Sequence, residues 1–388
     1  MVSIEEALSI ITKQDPALKT EVRKLENCLG YCLAEPIKAS FDMPSFDNSA
    51  MDGYALCGIF SEYSVVGEVP AGKIDDFDLK EGEAVRIFTG ARVPLNATAV
   101  VMQEKVIRED NRIRIDGEIR EGQCIRKQGE EFREGQLVFD RSFKINPAGI
   151  GLLGSLGIDR LQVFKKPEIH LIVTGNELIE PGTPRKEGQI YESNSHALSA
   201  ACEQYGFNCS RRLQIEDDLE KIRVGIGNSL EKCDVLILSG GISVGDYDYV
   251  KQALEENGVE EQFYKVFQKP GKPLYFGKKD DIYIFALPGN PASSLSCFFI
   301  YVLPFLNRLA GAEDDILNRF LLPAAHDIQN RADRPSFLKA SVKNGKVEIL
   351  NGQGSSMIRS MAMGNALAYI DAESTIKKGE PVTCYLIS

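Results

Sequence analysis

The chain has 388 residues, enough for several domains, since one domain usually spans about 100–200 residues. Its formal net charge of −11 argues against nucleic acid or an anionic membrane as a main partner. Nine cysteines without a CxxC pair and three widely separated histidines argue against a His-rich zinc site and indicate reduced thiols.

Residues 1–14 predict an amphipathic helix. They carry acidic residues and lack the basic and apolar segments of a signal peptide. The longest apolar run, Leu295 to Leu306, is too short to cross a membrane and is interrupted by Pro304. We therefore expect a cytoplasmic protein with no membrane partner.

The N-terminal part of the chain predicts a helical base that carries an insertion. Residues 1–25 and 144–166 show helical patterns and are predicted to form one base domain. Residues 26–143 show short β-type runs separated by Gly, Pro, Asn and Asp, which predict a β-rich inserted domain.

The rest of the chain predicts two further domains. Over residues 167–312 apolar strands alternate with amphipathic helices, which predicts a central, mostly parallel α/β sheet covered on both faces. Residues 313–388 return to short strands and predict a small C-terminal all-β domain. The expected fold class is therefore multidomain, α/β plus β.

Each predicted strand of the α/β region ends in a polar, glycine-containing loop. The loops are residues 174–177, 239–248 and 288–294. Ligands bind outside the carboxyl ends of parallel strands, and the helices that follow offer free N–H groups to an anion. For any one loop, the alternative is a tight turn with a Ser or Asp cap. The candidate binding residues are Ser239, Gly240, Gly241, Pro288, Asn290, Pro291 and Ser293.

Acidic residues are also expected to gather at this edge. The carboxylates are Glu177, Asp217, Asp218, Asp246 and Asp248. Carboxylates near phosphates commonly hold Mg²⁺, which takes one or two of them together with water and phosphate oxygens. For Asp217 and Asp246 the alternative is helix capping, because both precede helical stretches.

A rigid basic loop supplies the opposite charge. Two prolines and a glycine stiffen residues 269–273, with Lys269 and Lys272 inside that segment. Two ammonium groups on a stiff loop suit a dianion such as phosphate or molybdate, and a solvated turn is the alternative. In the β-rich region, residues 42–55 predict an ordered loop with a turn at Asp52–Gly53.

Six segments, taken together, resemble the motif series of the MoeA family, which includes the gephyrin E domain. They are SAMDGYA at 49–55, FTGA at 88–91, TGNEL at 174–178, residues 239–250, KPGKP at 269–273 and LPGNP at 287–291. The segments follow the family's order and extend over almost the whole chain.

The resemblance implies an elongated, four-domain homodimer that acts on adenylylated molybdopterin. Molybdate would be placed on the dithiolene sulfurs and AMP released, with Mg²⁺ assisting. It also implies a hand-over contact with the upstream molybdopterin adenylyltransferase.

The resemblance also assigns roles to individual residues. The matching catalytic residues are Asp52, Thr89, Glu177, Asp217, Asp248 and Lys265, and we expect Glu177, Asp217 and Asp248 to hold Mg²⁺. Lys269, Lys272, Arg334 and Ser355 match substrate-binding residues, which we expect to surround molybdate, with a hinge near Ala312. Two positions depart from the family pattern: Glu131 and Asn176 both replace aspartate.

Two other functions stay open at this point. A molybdopterin adenylyltransferase would resemble residues 167–312 alone, and a non-catalytic scaffold would resemble the gephyrin E domain. The additional β-rich regions favour the metal-insertion step. Because residues 144–166 separate Asp52 and Thr89 from the α/β motifs, we expect each site of a homodimer to combine residues of two chains.

Overall fold

The computed structural model describes residues 1–72, 77–242, 249–313 and 319–387. The chain divides into two compact units. The first contains residues 1–34, 144–146 and 161–388, and the second contains residues 35–143 and 147–160. The finer division into four domains stays a prediction.

The N-terminal segment begins with a helix and continues as a strand. Helix α1 (Ile4–Thr12) begins at a capping box in which Ser3 and Glu6 satisfy each other's backbone N–H groups. The prediction of helix as far as residue 25 is wrong, because Thr20–Lys24 forms strand β1. Pro16 disfavours helix at the residue before it, which fits the end of α1 at Thr12.

The second unit is β-rich, as its turn-separated runs predict. Its elements are β2 (Ile37–Lys38), β3 (Asn48–Ser49), β4 (Gly53–Leu56), β5 (Glu62–Val69), β6 (Glu83–Ile87), β7 (Ala99–Met102), β8 (Val106–Glu109), β9 (Arg112–Ile115), β10 (Ile125–Arg126), β11 (Leu137–Phe139) and helix α2 (Pro147–Ser155). Six strands form one sheet in the order β7-β4-β6-β5-β9-β8. Glycine is required where β4 meets β7, since a Cβ on Gly53 would lie 1.9 Å from the Val101 carbonyl oxygen.

The first unit contains the predicted α/β sheet. Its elements are β12 (Arg160–Phe164), β13 (Ile169–Thr174), β14 (Leu178–Ile179), β15 (Ile190–Tyr191), α3 (Asn194–Gln204), β16 (Cys209–Ile215), α4 (Leu219–Leu230), β17 (Val235–Ser239), α5 (Tyr249–Glu256), β18 (Glu260–Tyr264), β19 (Tyr275–Lys279), β20 (Ile282–Leu287), α6 (Pro291–Cys297) and α7 (Leu303–Leu309). The six-stranded sheet has the order β16-β13-β17-β20-β19-β18, and its first four strands are parallel. The buried face of α1, formed by Ile4, Ala7 and Ile11, belongs to the core of this unit.

Helices α6 and α7 join through a π-helical segment, Phe298–Val302, into one helix from Pro291 to Leu309. By length and composition this 19-residue helix could cross a membrane, but 83% of its apolar 18-residue window is buried inside the protein, as in a core helix. The prediction that Pro304 breaks this apolar segment is wrong. Pro304 lies in the first turn of α7, just after the π-helical segment. A π-helical turn changes the hydrogen-bond pattern of a helix locally, so the helix continues through the proline.

The C-terminal region forms a mainly antiparallel β structure. Its elements are β21 (Arg319–Pro323), β22 (Ile328–Asn330), β23 (Ser336–Lys343), β24 (Lys346–Ile349), helix α8 (Ile358–Met363), β25 (Ala366–Ile370), β26 (Ser374–Ile376) and β27 (Pro381–Leu386). Five strands form a sheet in the order β21-β27-β25-β23-β24. The short helix α8 corrects the prediction of an all-β region. Part of the linker expected to act as a hinge near Ala312, residues 314–318, lies outside the described residues.

Candidate functional site

The four parallel strands end at one level. Thr174 pairs with Ile215, and Ser239 pairs with both Val173 and Leu287. All strand residues of β13 and β17 are buried, which agrees with their continuous apolar sequences. The loops that follow therefore begin together at the carboxyl edge of the sheet, where ligands of such folds bind.

Ser239 connects the loops after β17 and β20. Its buried hydroxyl donates to the Pro288 carbonyl oxygen over 3.2 Å and lies 3.3 Å from the Ser294 hydroxyl. Gly240 has φ +91°, and a Cβ there would lie 2.6 Å from the Thr174 carbonyl oxygen. The glycine is therefore needed for both its left-handed backbone and its close approach to β13.

Asn194, the first residue of α3, reinforces the same edge and was not predicted from sequence. Its Nδ2 donates to the Ser239 hydroxyl over 2.9 Å and to the Gly289 carbonyl oxygen over 2.7 Å. Its Oδ1 and the Thr174 hydroxyl are buried without a hydrogen-bond partner among the described residues. In the sequence, the only signal for Asn194 was that it is a polar residue next to a predicted helix.

The predicted metal ligands are only partly described. Glu177 is exposed and Asp217 is half-buried, at the ends of the neighbouring strands β13 and β16. The Oδ1 of Asn176 accepts the backbone N–H of Asp217 over 2.9 Å, so Asn176 joins these two loops. Asp246 and Asp248 lie outside the described residues. Within the described part of the chain, no group of three or more His, Cys, Asp or Glu residues is placed to hold a metal.

Asp218 is the residue that caps helix α4 at this edge. Its Oδ1 accepts the backbone N–H of Lys221 over 2.9 Å, as an N-cap of α4 does. The capping alternative for Asp217 is therefore wrong, and the Asp217 carboxylate is not used to cap this helix.

A turn of the C-terminal region reaches the start of α6. The Nδ2 of Asn290 donates to the Ser355 hydroxyl over 3.1 Å, and the Ala292 N–H donates to the Ser355 carbonyl oxygen over 3.1 Å. Pro291 is the first residue of α6, and Ser293 is buried in its first turn. The structure thus places Ser355 directly beside the predicted binding residues of the sheet edge.

The basic loop is joined to the C-terminal region through its backbone. The Lys269 N–H donates to the Pro335 carbonyl oxygen over 2.9 Å, and the Phe337 N–H donates to the Lys269 carbonyl oxygen over 2.8 Å. Lys269 lines a cavity of about 580 Å³ together with Arg331 and other residues. The basic loop and the C-terminal region therefore meet at Lys269, but Lys272, Arg334 and Ser355 are not among the residues that line this cavity.

The other predicted basic residues have varied surroundings. Lys272 is half-buried and its carbonyl oxygen accepts the Val266 N–H. The ammonium of Lys265 lies 4.7 Å from the centre of the Tyr264 ring. Arg334 forms an ion pair with Asp333, Nε to Oδ1, over 3.0 Å. The prediction that Lys269, Lys272, Arg334 and Ser355 surround one molybdate stays a prediction.

In the second unit, Asp52 and Thr89 contact each other. The Thr89 N–H and hydroxyl donate to Oδ1 of Asp52 over 2.7 and 2.8 Å. These two hydrogen bonds lower the pKa of Asp52 because they stabilise the carboxylate. Beside them, a guanidinium nitrogen of Arg86 donates to the Gly53 carbonyl oxygen over 2.7 Å. Asp52 therefore accepts both hydrogen bonds from Thr89, which follows the neighbouring strand β6. A residue that only stabilised the turn at Asp52–Gly53 would not need these bonds.

Three family models match successive parts of the chain. They are the MoeA N-terminal region (domain I and II) over residues 2–157, a probable molybdopterin binding domain over residues 170–308, and the MoeA C-terminal region (domain IV) over residues 322–387.

Curated relatives and a solved structure match over most of their length. A molybdopterin molybdenumtransferase of Haemophilus influenzae is 31% identical and covers 99% of this chain and 98% of its own. One of Staphylococcus epidermidis is 33% identical over 80% of this chain and 77% of its own. The molybdopterin biosynthesis MoeA protein of Pyrococcus horikoshii OT3 covers all of both chains with a TM-score of 0.83 and 29% identity.

Proposed function

The chain belongs to the molybdopterin molybdenumtransferase (MoeA) family of molybdenum cofactor biosynthesis, and we propose that it inserts molybdenum from molybdate into adenylylated molybdopterin, releasing AMP. The observation that carries this proposal is the contact of Ser355 with Asn290 and Ala292. That contact brings a polar turn of the C-terminal region to a phosphate-binding type of sheet edge. Such an arrangement suits an enzyme that must bring a nucleotide-activated pterin and a small oxyanion together.

The adenylyltransferase alternative is less well supported. The molybdopterin-binding model matches residues 170–308 alone, whereas two MoeA-specific models match the segments before and after it. The curated relatives that match most of the chain are named molybdopterin molybdenumtransferase. Their name also disfavours a non-catalytic scaffold.

The sheet edge is proposed to bind the phosphates of the substrate. The glycines after Ser239 let the backbone approach a ligand, and the first turn of α6 presents N–H groups to an anion. Cleavage of the phosphoanhydride bond by water releases AMP and leaves the pterin phosphate at this edge. Asn194 keeps the two flanking loops together during this step, since it bonds both of them.

Magnesium is proposed to bind at the ends of β13 and β16. Glu177 and Asp217 follow neighbouring parallel strands, and their carboxylates are the oxygen ligands that Mg²⁺ prefers. They would hold the ion together with Asp248, with phosphate oxygens and water completing its shell. A bound Mg²⁺ withdraws charge from phosphate oxygens and so eases cleavage.

Molybdate is proposed to bind where the basic loop meets the C-terminal region. Lys269, Lys272 and Arg334 would supply positive charge, and Ser355 would donate its hydroxyl. The backbone pairing of Lys269 with Pro335 and Phe337 supports this placement, because it joins a cation of the α/β region to the facing β structure.

A homodimer would complete the site. Asp52 and Thr89 belong to a different compact unit from Glu177 and Asp217, and both pairs match functional residues of the family. We propose that Asp52 and Thr89 of one chain, with Lys265 of the other, serve a shared site, and that two-fold symmetry gives two such sites. A cytoplasmic location and substrate hand-over from the adenylyltransferase complete this proposal.

The test is a turnover assay with purified protein, adenylylated molybdopterin, Mg²⁺ and molybdate. We expect AMP release that depends on molybdate and produces a metal-loaded cofactor. An adenylyltransferase would instead form adenylylated molybdopterin from ATP and molybdopterin, and a scaffold would do neither. Either of these two results would contradict the proposed function.

A further inference from the structure

Lys339 is a buried lysine of strand β23, with an exposed fraction of 3%. Its ammonium donates to the carbonyl oxygens of Gly354 and Met357, each over 2.9 Å. A charged group is costly to bury unless hydrogen bonds replace its water, so a lysine at this position requires these acceptors. Burial also lowers the pKa of Lys339.

The two acceptors are the ends of one tight turn. The Met357 N–H donates to the Gly354 carbonyl oxygen over 3.0 Å, which closes a four-residue turn with Ser355 and Ser356 at its corners. The ammonium of Lys339 therefore bonds both ends of this turn. From the corner, Ser355 contacts Asn290 and Ala292 at the start of α6.

We propose that Lys339 is a positioning residue that holds Ser355 in place for oxyanion binding by fixing the turn 354–357. The inference rests on the proposed function, in which Ser355 contacts molybdate. Without the ammonium, the turn would keep its own hydrogen bond but lose the two hydrogen bonds that the Lys339 side chain donates to its ends. Ser355 would then sample more positions, and its hydroxyl would contribute less to binding.

The surroundings of Lys339 allow this role to be separated from folding. The side chain of Gln353 bonds the backbone N–H and carbonyl oxygen of Lys339 over 2.9 and 2.8 Å, and a substitution of Lys339 leaves these bonds in place. The Met357 carbonyl oxygen also accepts the Ser360 hydroxyl over 3.0 Å, and the Gly354 oxygen accepts the Met357 N–H. Lys339→Met therefore leaves neither carbonyl without a donor, and we expect the variant to fold.

The experiment measures AMP release by the full-length protein as a function of molybdate concentration. We expect Lys339→Met to raise the KM for molybdate roughly tenfold, the effect of losing about one hydrogen bond to a ligand. The kcat at saturating molybdate and the affinity for adenylylated molybdopterin should stay near the wild-type values. Lys339→Arg, which can still donate to both carbonyl oxygens, should restore most of the molybdate affinity.

A double substitution distinguishes positioning from a general structural effect. In a Ser355→Ala background, Lys339→Met should raise the KM for molybdate little further, because both changes remove the same interaction. Asn365→Ala is the matched control. Its side chain bonds the backbone of Val342 on the same strand, at 2.7 and 3.1 Å, and it should lower the melting temperature without changing that KM.

Three results would overturn the inference: an unchanged KM for molybdate in Lys339→Met, an equal further rise of that KM in the Ser355→Ala background, or equal losses of kcat and of both affinities in Lys339→Met. If Lys339→Met does not fold, Lys339→Gln replaces it, since its amide can donate to one carbonyl oxygen, and an intermediate KM is expected. If the wild-type protein releases no AMP, the proposed function fails. Calorimetric titration of wild type and variant with molybdate then decides the role of Lys339 by itself.

Discussion

Thr89 donates two hydrogen bonds to a single carboxylate oxygen of Asp52, one from its backbone N–H over 2.7 Å and one from its hydroxyl over 2.8 Å. The two residues are 37 positions apart in sequence and meet because Gly53 of β4 pairs with Ile87 of β6. The pairing of β4 with β6 therefore brings these two family-matching residues into contact.

Removing the Thr89 hydroxyl should raise the pKa of Asp52. In Thr89→Val the backbone N–H still donates, so the pKa should move toward its ordinary value without reaching it. A group with a lowered folded-state pKa stabilises the fold above its unfolded pKa, and that contribution is lost as pH falls through the folded pKa. The stability difference between wild type and variant should therefore shrink in acid. NMR titration of the Asp52 carboxyl carbon measures the shift, and identical titrations would show that the hydroxyl does not matter.

The carboxylates at the ends of β13 and β16 should govern the magnesium requirement. Asp217→Asn and Glu177→Gln should raise the Mg²⁺ concentration that supports half-maximal AMP release, since each removes one charged oxygen ligand. Asp218→Asn is the control, because asparagine also caps a helix and Asp218 is used as the α4 cap. A normal Mg²⁺ dependence in both Asp217→Asn and Glu177→Gln would reject the assignment.

Gly240 should be needed for its contact with β13 as well as for its backbone conformation. Gly240→Ala and Gly258→Ala both introduce a side chain at positive φ, +91° and +75°, which costs about 1 kcal/mol or more. Only the first also brings a Cβ to 2.6 Å from the Thr174 carbonyl oxygen, while the second meets nothing within 4 Å. Thermal unfolding should therefore show a larger loss for Gly240→Ala, and only that variant should lose activity. Equal behaviour of the two would mean that the edge tolerates the shift.

Lys269 should matter for molybdate rather than for the pterin. Lys269→Ala should raise the KM for molybdate, because an ammonium near a dianion contributes a charge-assisted interaction. Lys278→Ala removes the same charge from strand β19, where its ammonium lies 5.5 Å from the centre of the Tyr283 ring, and should leave this KM unchanged. If both variants weaken molybdate and adenylylated molybdopterin equally, the effect of Lys269 is general electrostatics.

A shared site in a homodimer predicts recovery of activity from two inactive chains. Asp52→Ala and Asp217→Ala should each be inactive alone. In a mixed dimer, one of the two symmetric sites contains both substitutions and the other contains neither. Up to about half of normal activity should therefore return. Activity of mixed dimers separated by different affinity tags measures this. Complete inactivity of the mixed dimers would place each site within a single chain.

The sequence by itself determined the central sheet and the position of its loops. Continuous apolar runs such as Ile169–Thr174 and Val235–Ser239 predict buried parallel strands, because both faces of such strands are covered. The polar loops after them could then be placed at one edge without coordinates. Strand β16 was missed, since its alternating exposed residues, Cys209–Ile215, are those of an edge strand between two helices.

Only the tertiary structure decided which distant segments meet at that edge. The contact of Asn290 with Ser355 spans 65 positions, and the bond of Asn194 to Gly289 spans 95. The ammonium of Lys339 on β23 likewise bonds both ends of the turn 354–357, which lies 15 to 18 positions further along the chain. The periodicity of apolar residues indicates which face of a strand or helix is buried. It does not indicate which residues of other segments pack against that face. The partners of these side chains follow from how separately folded sheets and turns pack, which depends on the whole core rather than on any local pattern.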